Sequence, residues 1–173
     1  MFDKEVRLIG KHAQYMSLLA SNFGEINAKL FNRNIDVYVQ APIVGFLYQK
    51  KSEKDVKNKD SKIPDAHILK DQMINAKDNL VFNMQLILLL DKDYEPDEEK
   101  RIDKAFRHFG KDEKDFEFFE SYVLGGIEIL YQKLIENAAK SDDFIDKLSS
   151  FTDEINSRYY SEIDKDVLLN SLN

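Results

Sequence analysis

The feature that most constrains this chain is the stretch 116–138, FEFFESYVLGGIEILYQKLIENA. At a helical period Phe116, Phe119, Val123, Ile127, Leu130, Leu134 and Ala138 fall on one face, and Phe118, Tyr122 and Ile129 on a second. A helix that is apolar on two sides needs neighbours on both flanks, so this one is expected at the centre of the fold. Gly125 and Gly126 sit in its middle. Each costs about 1 kcal/mol relative to alanine in a helix interior. Either the helix breaks there, or another backbone comes so close that a side chain has no room. Gly125, Gly126 and the nearby Tyr122 are therefore candidate close-packing or interface residues.

The rest of the chain supplies the neighbours. Its 173 residues are enough for one domain with a real core, and 43% apolar and 12% aromatic content argues against general disorder. Six glycines and three prolines are few for a turn-rich β protein, whereas 33% charged residues suits amphipathic helices. The pattern predicts an all-α, single-domain bundle of about six helices around two long central ones, 65–91 and 112–139.

A first helix is expected over 4–21, with Val6, Ile9, Ala13, Met16 and Ala20 on one face and Gly24 as its C-cap. Residues 35–48, IDVYVQAPIVGFLY, alternate like a strand yet also place Val39, Ile43, Phe46 and Leu47 on one helical face. A buried helix, kinked by an early Pro42, accounts for them with one element. In 65–91, Met73, Ala76, Leu80, Met84 and Ile87 make a stripe, and Leu86 with Leu88–Leu90 implies a helix end buried all round. This helix is the expected packing partner of 112–139. Pro96 and the acids around it open a helix whose buried face is Ile102, Ala105, Phe106 and Phe109, ended by Gly110. Ser141 caps a last helix with Asp142 and Asp143 in its first turn and a stripe of Phe144, Leu148, Phe151, Ile155 and Tyr159. The acidic tail from Ser161 docks or frays.

The net charge of −7 disfavours generic binding to nucleic acid. It is unevenly spread. Residues 50–62 carry six lysines against three acids, and 91–99 carry six acids against one lysine. The first of these reads as a mobile, solvated connection over 50–63. Its sharper reading is a contact loop in which Lys50, Lys51, Lys54 and Lys57 meet phosphate or an acidic partner. The lack of cysteine excludes disulfides, thiolate metal sites and cysteine nucleophiles. The N-terminus has no signal-like apolar run, and the longest apolar run, Leu86–Leu90, is too short for a bilayer. A cytoplasmic protein without a membrane segment is expected.

Tests for chemistry mostly return scaffold. The acids of 91–102 lack the glycine and the terminal glutamate of a calcium loop, having Pro96 and Ile102 in those places. His12, His67 and His108 have no second ligand at helical spacing. Gly125-Gly126 has neither the strand nor the Lys-Ser/Thr of a phosphate loop. Glu120 projects near the main apolar face and is expected at its rim or paired with a lysine or backbone amide, although a buried carboxylate is also the raw material of an acid or base. The aromatics sit at core spacing, with Tyr38, Tyr48 and Tyr122 as partly exposed exceptions. No catalytic residue, metal ligand or cofactor is assigned.

Two stretches, LFNRNIDVYVQAPIVGFLY (30–48) and FFESYVLGGIEILYQKL (118–134), carry an aromatic-plus-Asp start into an Ala/Gly-containing apolar helix and a later Tyr-x-x-Gly-Gly before another apolar helix. In this the chain resembles small proteins associated with bacterial DNA phosphorothioation (Dnd) systems. The matching positions are Phe31, Asp36, Ala41, Gly45, Tyr122, Gly125 and Gly126. The resemblance implies a role beside a DNA-modification or phage-defence machine and implies no reaction. The expected function is a small non-enzymatic accessory or adaptor protein with a protein partner, and homo-oligomers are compatible with it. The alternatives are a nucleic-acid-associated protein using the 50–62 lysines, and an inhibitor presenting the acids of 91–99 and 142–166 to a DNA-binding enzyme.

Overall fold

The computed structural model describes residues 1–23, 28–56 and 62–159. In chain order it has strand β1 (Val6–Leu8), helices α1 (Gly10–Leu19) and α2 (Asn34–Leu47), and strand β2 (Ala66–Ile68). Helices α3 (Lys70–Asn75), α4 (Lys77–Leu90) and α5 (Glu98–Ile102) follow, then α6 (Glu113–Leu134) and α7 (Ser141–Tyr159). The fold is an all-α bundle. Its small sheet pairs β1 antiparallel with β2, Val6 opposite Ile68 and Leu8 opposite Ala66.

The expected helix over 4–21 begins only at Gly10. Val6 and Leu8 turn inward and Arg7 outward to pair with Asp65, which is strand alternation over a span too short to betray its period. Gly10 makes the corner at φ +59°. The helix ends at Leu19, and Gly24 lies outside the described residues. The helix expected within 65–91, beginning between Asp65 and Asp71, does start at Lys70, after β2, but it is two helices rather than one: α3 stops at Ala76, whose backbone (φ −93°, ψ 0°) interrupts the run into α4.

Residues 34–47 do form one helix, and Pro42 lies inside it. The Asp36 carboxylate accepts the Arg33 backbone N–H at 3.0 Å, which secures its first turn. Helix α6 starts one residue after its cap, where the Asp112 carboxylate accepts the Lys114 N–H at 3.0 Å, and runs unbroken through Gly125-Gly126. It stops at Leu134, short of 138, before a turn in which Asn137 takes φ +63°. The capping role expected of Ser141 is taken by Asp143, whose carboxylate accepts the Ala139 and Lys140 N–H groups, both at 2.8 Å. Phe144 is buried under α7, while Leu148 is 45% exposed. The tail from Ser161 lies outside the described residues.

The segment after α5 departs from the sequence pattern. Asp103–Arg107 form a π-helical turn, ended by Gly110 at φ +75°. The wider turn breaks the 3.6 period, so Ala105 is buried whereas Phe106, expected in the core, is 56% exposed. Arg101 turns inward instead. Its Nε donates to the Leu89 carbonyl (2.9 Å) and its Nη1 to those of Glu95 (3.0 Å) and Pro96 (2.8 Å), closing the end of α4.

The largest correction concerns the partner of α6. It packs along α2 far more extensively than along α4. Small residues decide this, because Ala41 and Gly45 of α2 face Gly126 and Tyr122 of α6 and allow a backbone approach that the leucine-rich α4 cannot match. The core around this pair contains Tyr38, Phe119, Tyr122, Met16, Leu80, Met84 and Ile127. Tyr38 and Tyr122 are therefore fully buried, contrary to expectation, and Tyr48 is half-buried.

Candidate functional site

Three features could do more than hold the fold: a glycine seam, a buried polar node beside a cleft, and an apolar stripe. The seam comes first because it places the other two. A Cβ on Gly126 would lie 1.8 Å from the Ala41 carbonyl oxygen, one on Gly45 2.2 Å from that of Tyr122, and one on Gly125 1.9 Å from that of Lys50. The helices thus meet backbone to backbone, with the chain leaving α2 laid across α6. The Lys50 N–H donates to the Gly45 carbonyl at 2.8 Å, and the Ser52 N–H to the Ser121 carbonyl at 2.9 Å. Five of the seven residues that carry the sequence resemblance, Ala41, Gly45, Tyr122, Gly125 and Gly126, meet in this seam. Tyr122 anchors its rim, its hydroxyl donating to the buried Asp91 carboxylate at 2.6 Å. Burial and that carboxylate push its phenol well above the ordinary range.

The seam lays the exposed lysines of the basic segment against α6. Lys50 reaches Glu128 at 3.4 Å, Lys54 pairs with Glu120 at 2.7 Å, and the Lys51 ammonium lies 5.0 Å from the centre of the Phe118 ring and 5.2 Å from that of Tyr122. Lys57 lies outside the described residues. The stretch expected to be a solvated connection is therefore docked on α6 as far as Asp55. That residue accepts the Lys11 backbone N–H at 2.7 Å, a negative charge at the N-terminus of α1 from 44 positions away.

Around Glu128 these elements form a polar node. One carboxylate oxygen receives Lys11 at 2.9 Å and His12 Nε2 at 3.0 Å. Burial opposes ionisation, but the hydrogen bonds of Lys11, Ser52 and His12 and the charge of Lys11 win, and Glu128 is held at about 2. His12 is itself buried, and burial pushes its pKa below the ordinary histidine value against the pull of Glu128. A neutral imidazole beside an ionised carboxylate must donate through Nε2. Its other nitrogen, Nδ1, is then a bare acceptor, and among the described residues it has no hydrogen-bond partner. The ring lines a cleft of about 830 Å³ bounded by β1, the start of α1, Lys54 and Asp55, Met73, and the Glu113, Phe116, Glu120 and Leu124 face of α6. That volume is in the range of small-molecule sites.

The third feature lies on α4. Phe82, Leu86, Leu89 and Leu90 share a helical face, with Phe82 63% and Leu90 50% exposed and the two leucines between them half-buried. The end of this helix was expected to be buried all round. The burial it does have comes from the opposite side, where Leu80, Met84, Ile87 and Leu88 enter the core.

The remaining candidates are accounted for within the fold. His67 pairs with Glu5 and His108 with Asp103, each at 2.6 Å. Asp115 holds Lys104 at 2.8 Å and the Tyr94 hydroxyl at 2.7 Å, and Asp91 closes the turn at Asp93 and Tyr94. No group of three or more His, Asp or Glu among the described residues converges on a metal-sized point, and no helix among them is long and apolar enough to cross a membrane. The His12–Glu128 pair was not legible in the sequence, since 116 positions separate its members. The one hint was Glu128 itself, a carboxylate one position after an apolar face residue of the central helix. No family model, no curated protein and no solved structure matches the chain.

Proposed function

We propose that this protein is a small non-enzymatic adaptor that binds a protein partner through the α4 stripe, in a prokaryotic DNA-modification or phage-defence setting. The stripe is the observation that carries the reading. Single apolar side chains on a surface are ordinary, but Phe82, Leu86, Leu89 and Leu90 follow the i, i+4, i+7, i+8 spacing by which a helix meets an apolar partner surface. The setting is supported by the resemblance of 30–48 and 118–134 to proteins of DNA phosphorothioation systems, and by the way most of the resembling positions serve one helix contact. Binding of nucleic acid through the basic segment is the weaker reading, because Lys50, Lys51 and Lys54 already satisfy internal acids and rings.

The test is affinity purification of the tagged protein from its host, with and without nuclease, for the wild type and the double variant Phe82→Asp/Leu90→Asp. Both positions are exposed, so the variant's thermal midpoint should match the wild type. The expected result is a stoichiometric protein that survives nuclease and is lost with the variant. Retention of that protein by the variant would remove the stripe from the reading, and recovery of nucleic acid alone would replace the adaptor with a nucleic-acid-binding protein.

A further inference from the structure

We infer that the cleft floored by His12 is a binding site for a small organic cation, an amine or amidine on an apolar stem. His12 is 1% exposed, and its Nε2 is committed to Glu128, which does not line the cleft. Nδ1 is the nitrogen left over, a buried lone pair without a donor among the described residues. Such groups are rare in folded proteins because each forfeits a hydrogen bond it had in water. A ligand that brings an N–H restores that bond.

The charge of the cleft selects the kind of donor. Asp55 lines it beside His12, and backbone N–H groups of Lys11 and Val56 hold its carboxylate ionised while leaving it lone pairs to spare. Six acidic side chains line it against three basic ones, Lys4, Arg7 and Lys54, of which Arg7 is paired with Asp65 and Lys54 with Glu120. An anion is therefore disfavoured and a cationic donor favoured. The apolar part of the wall, with Phe2, Phe116 and Leu124, suits the stem. The ligand is thus placed with its N–H toward Nδ1 and its positive charge near Asp55.

The experiment titrates the full chain with benzylamine, benzamidine and, as the anionic control, benzoate, following the His12 side-chain nitrogens by long-range proton–nitrogen NMR. Saturable binding of the cations with a selective shift of Nδ1 is expected. His12→Phe should weaken it by roughly five- to tenfold, the worth of one hydrogen bond. A second variant, Asp3→Lys/Glu113→Lys on the exposed rim, leaves the buried node intact and should weaken the cations about threefold while improving benzoate. This arm decides the matter even where His12→Phe does not fold. Benzoate binding as well as benzylamine would overturn the inference. So would cation binding indifferent to both variants. An Nδ1 resonance already shifted in the free protein and unmoved by any probe would mean a buried water only, and would also overturn it.

Discussion

At the residue scale the most informative atom is a nitrogen. His12 is held in one tautomer because Glu128 is held ionised, and Glu128 is ionised because Lys11 and Ser52 reach it. The pair makes a signed prediction about pH. His12 in the folded chain sits below its ordinary value of 6.5, so the unfolded chain takes up the proton first. Stability from this group is complete above 6.5 and is lost as pH falls below it. Glu128 is depressed from 4.5 to about 2, so its contribution is present above 4.5 and is lost through that lower window. Urea midpoints should be level above pH 7, decline below 6.5 and decline further below 4.5. Glu128→Gln should reduce the second decline, which other carboxylates share. A midpoint unchanged between pH 7.5 and 5 would show that His12 is not held neutral. Neither position could be singled out in advance, since a histidine near the start of one helix and a glutamate in the middle of another carry no local sign that they meet.

At the scale of elements, local sequence specifies the structure where a period runs long and not where it is short or interrupted. The 22 residues of α6 hold one helical period throughout, and both its start at about Asp112 and its central position follow from the sequence. Strands of three residues, β1 and β2, are shorter than the window in which alternation can be told from helical spacing. The π turn at Asp103–Arg107 inserts a wider ring into an otherwise regular count, and within it Phe106 is turned away from the face that 3.6 residues per turn would give it. This yields a prediction opposite to that of the sequence pattern. Phe106→Ser should change stability by no more than about 0.5 kcal/mol, as at an ordinary surface position. A loss of about 3 kcal/mol, typical of a core phenylalanine, would restore the regular helix and its buried Phe106. Chemical denaturation of the variant is sufficient to separate the two.

At the scale of the whole molecule, the α2–α6 contact is the axis on which the rest is arranged. Its closeness brings Lys50–Asp55 onto α6, which in turn delivers Ser52 and Lys50 to Glu128, Lys54 to Glu120, and Asp55 to the start of α1. Gly126→Ala should therefore act beyond its own site. The added carbon would fall 1.8 Å from the Ala41 carbonyl oxygen, a backbone atom that cannot step aside without moving α2. Overpacking of this kind costs about 3 kcal/mol, and the thermal midpoint should drop by roughly 10 °C. Hydrogen exchange should quicken in 50–55 as well as at the seam. An unchanged midpoint would mean that the helices stand farther apart.

The sequence by itself determined the helical class, the central helix with its two apolar faces, and the choice at Gly125 and Gly126 between a break and a close approach, because each of these is written in neighbouring residues and a long repeat. What approaches the glycines was decided only in three dimensions. Small residues on α2 let its backbone come nearer than the bulkier α4, and that comparison is between elements far apart along the chain. The same holds for the cleft and the node beside it. Burial, ionisation and the orphaned nitrogen of His12 depend on groups gathered from α1, α6 and the segment between α2 and β2. Local sequence sets what each residue prefers, and only packing sets which of those preferences are met.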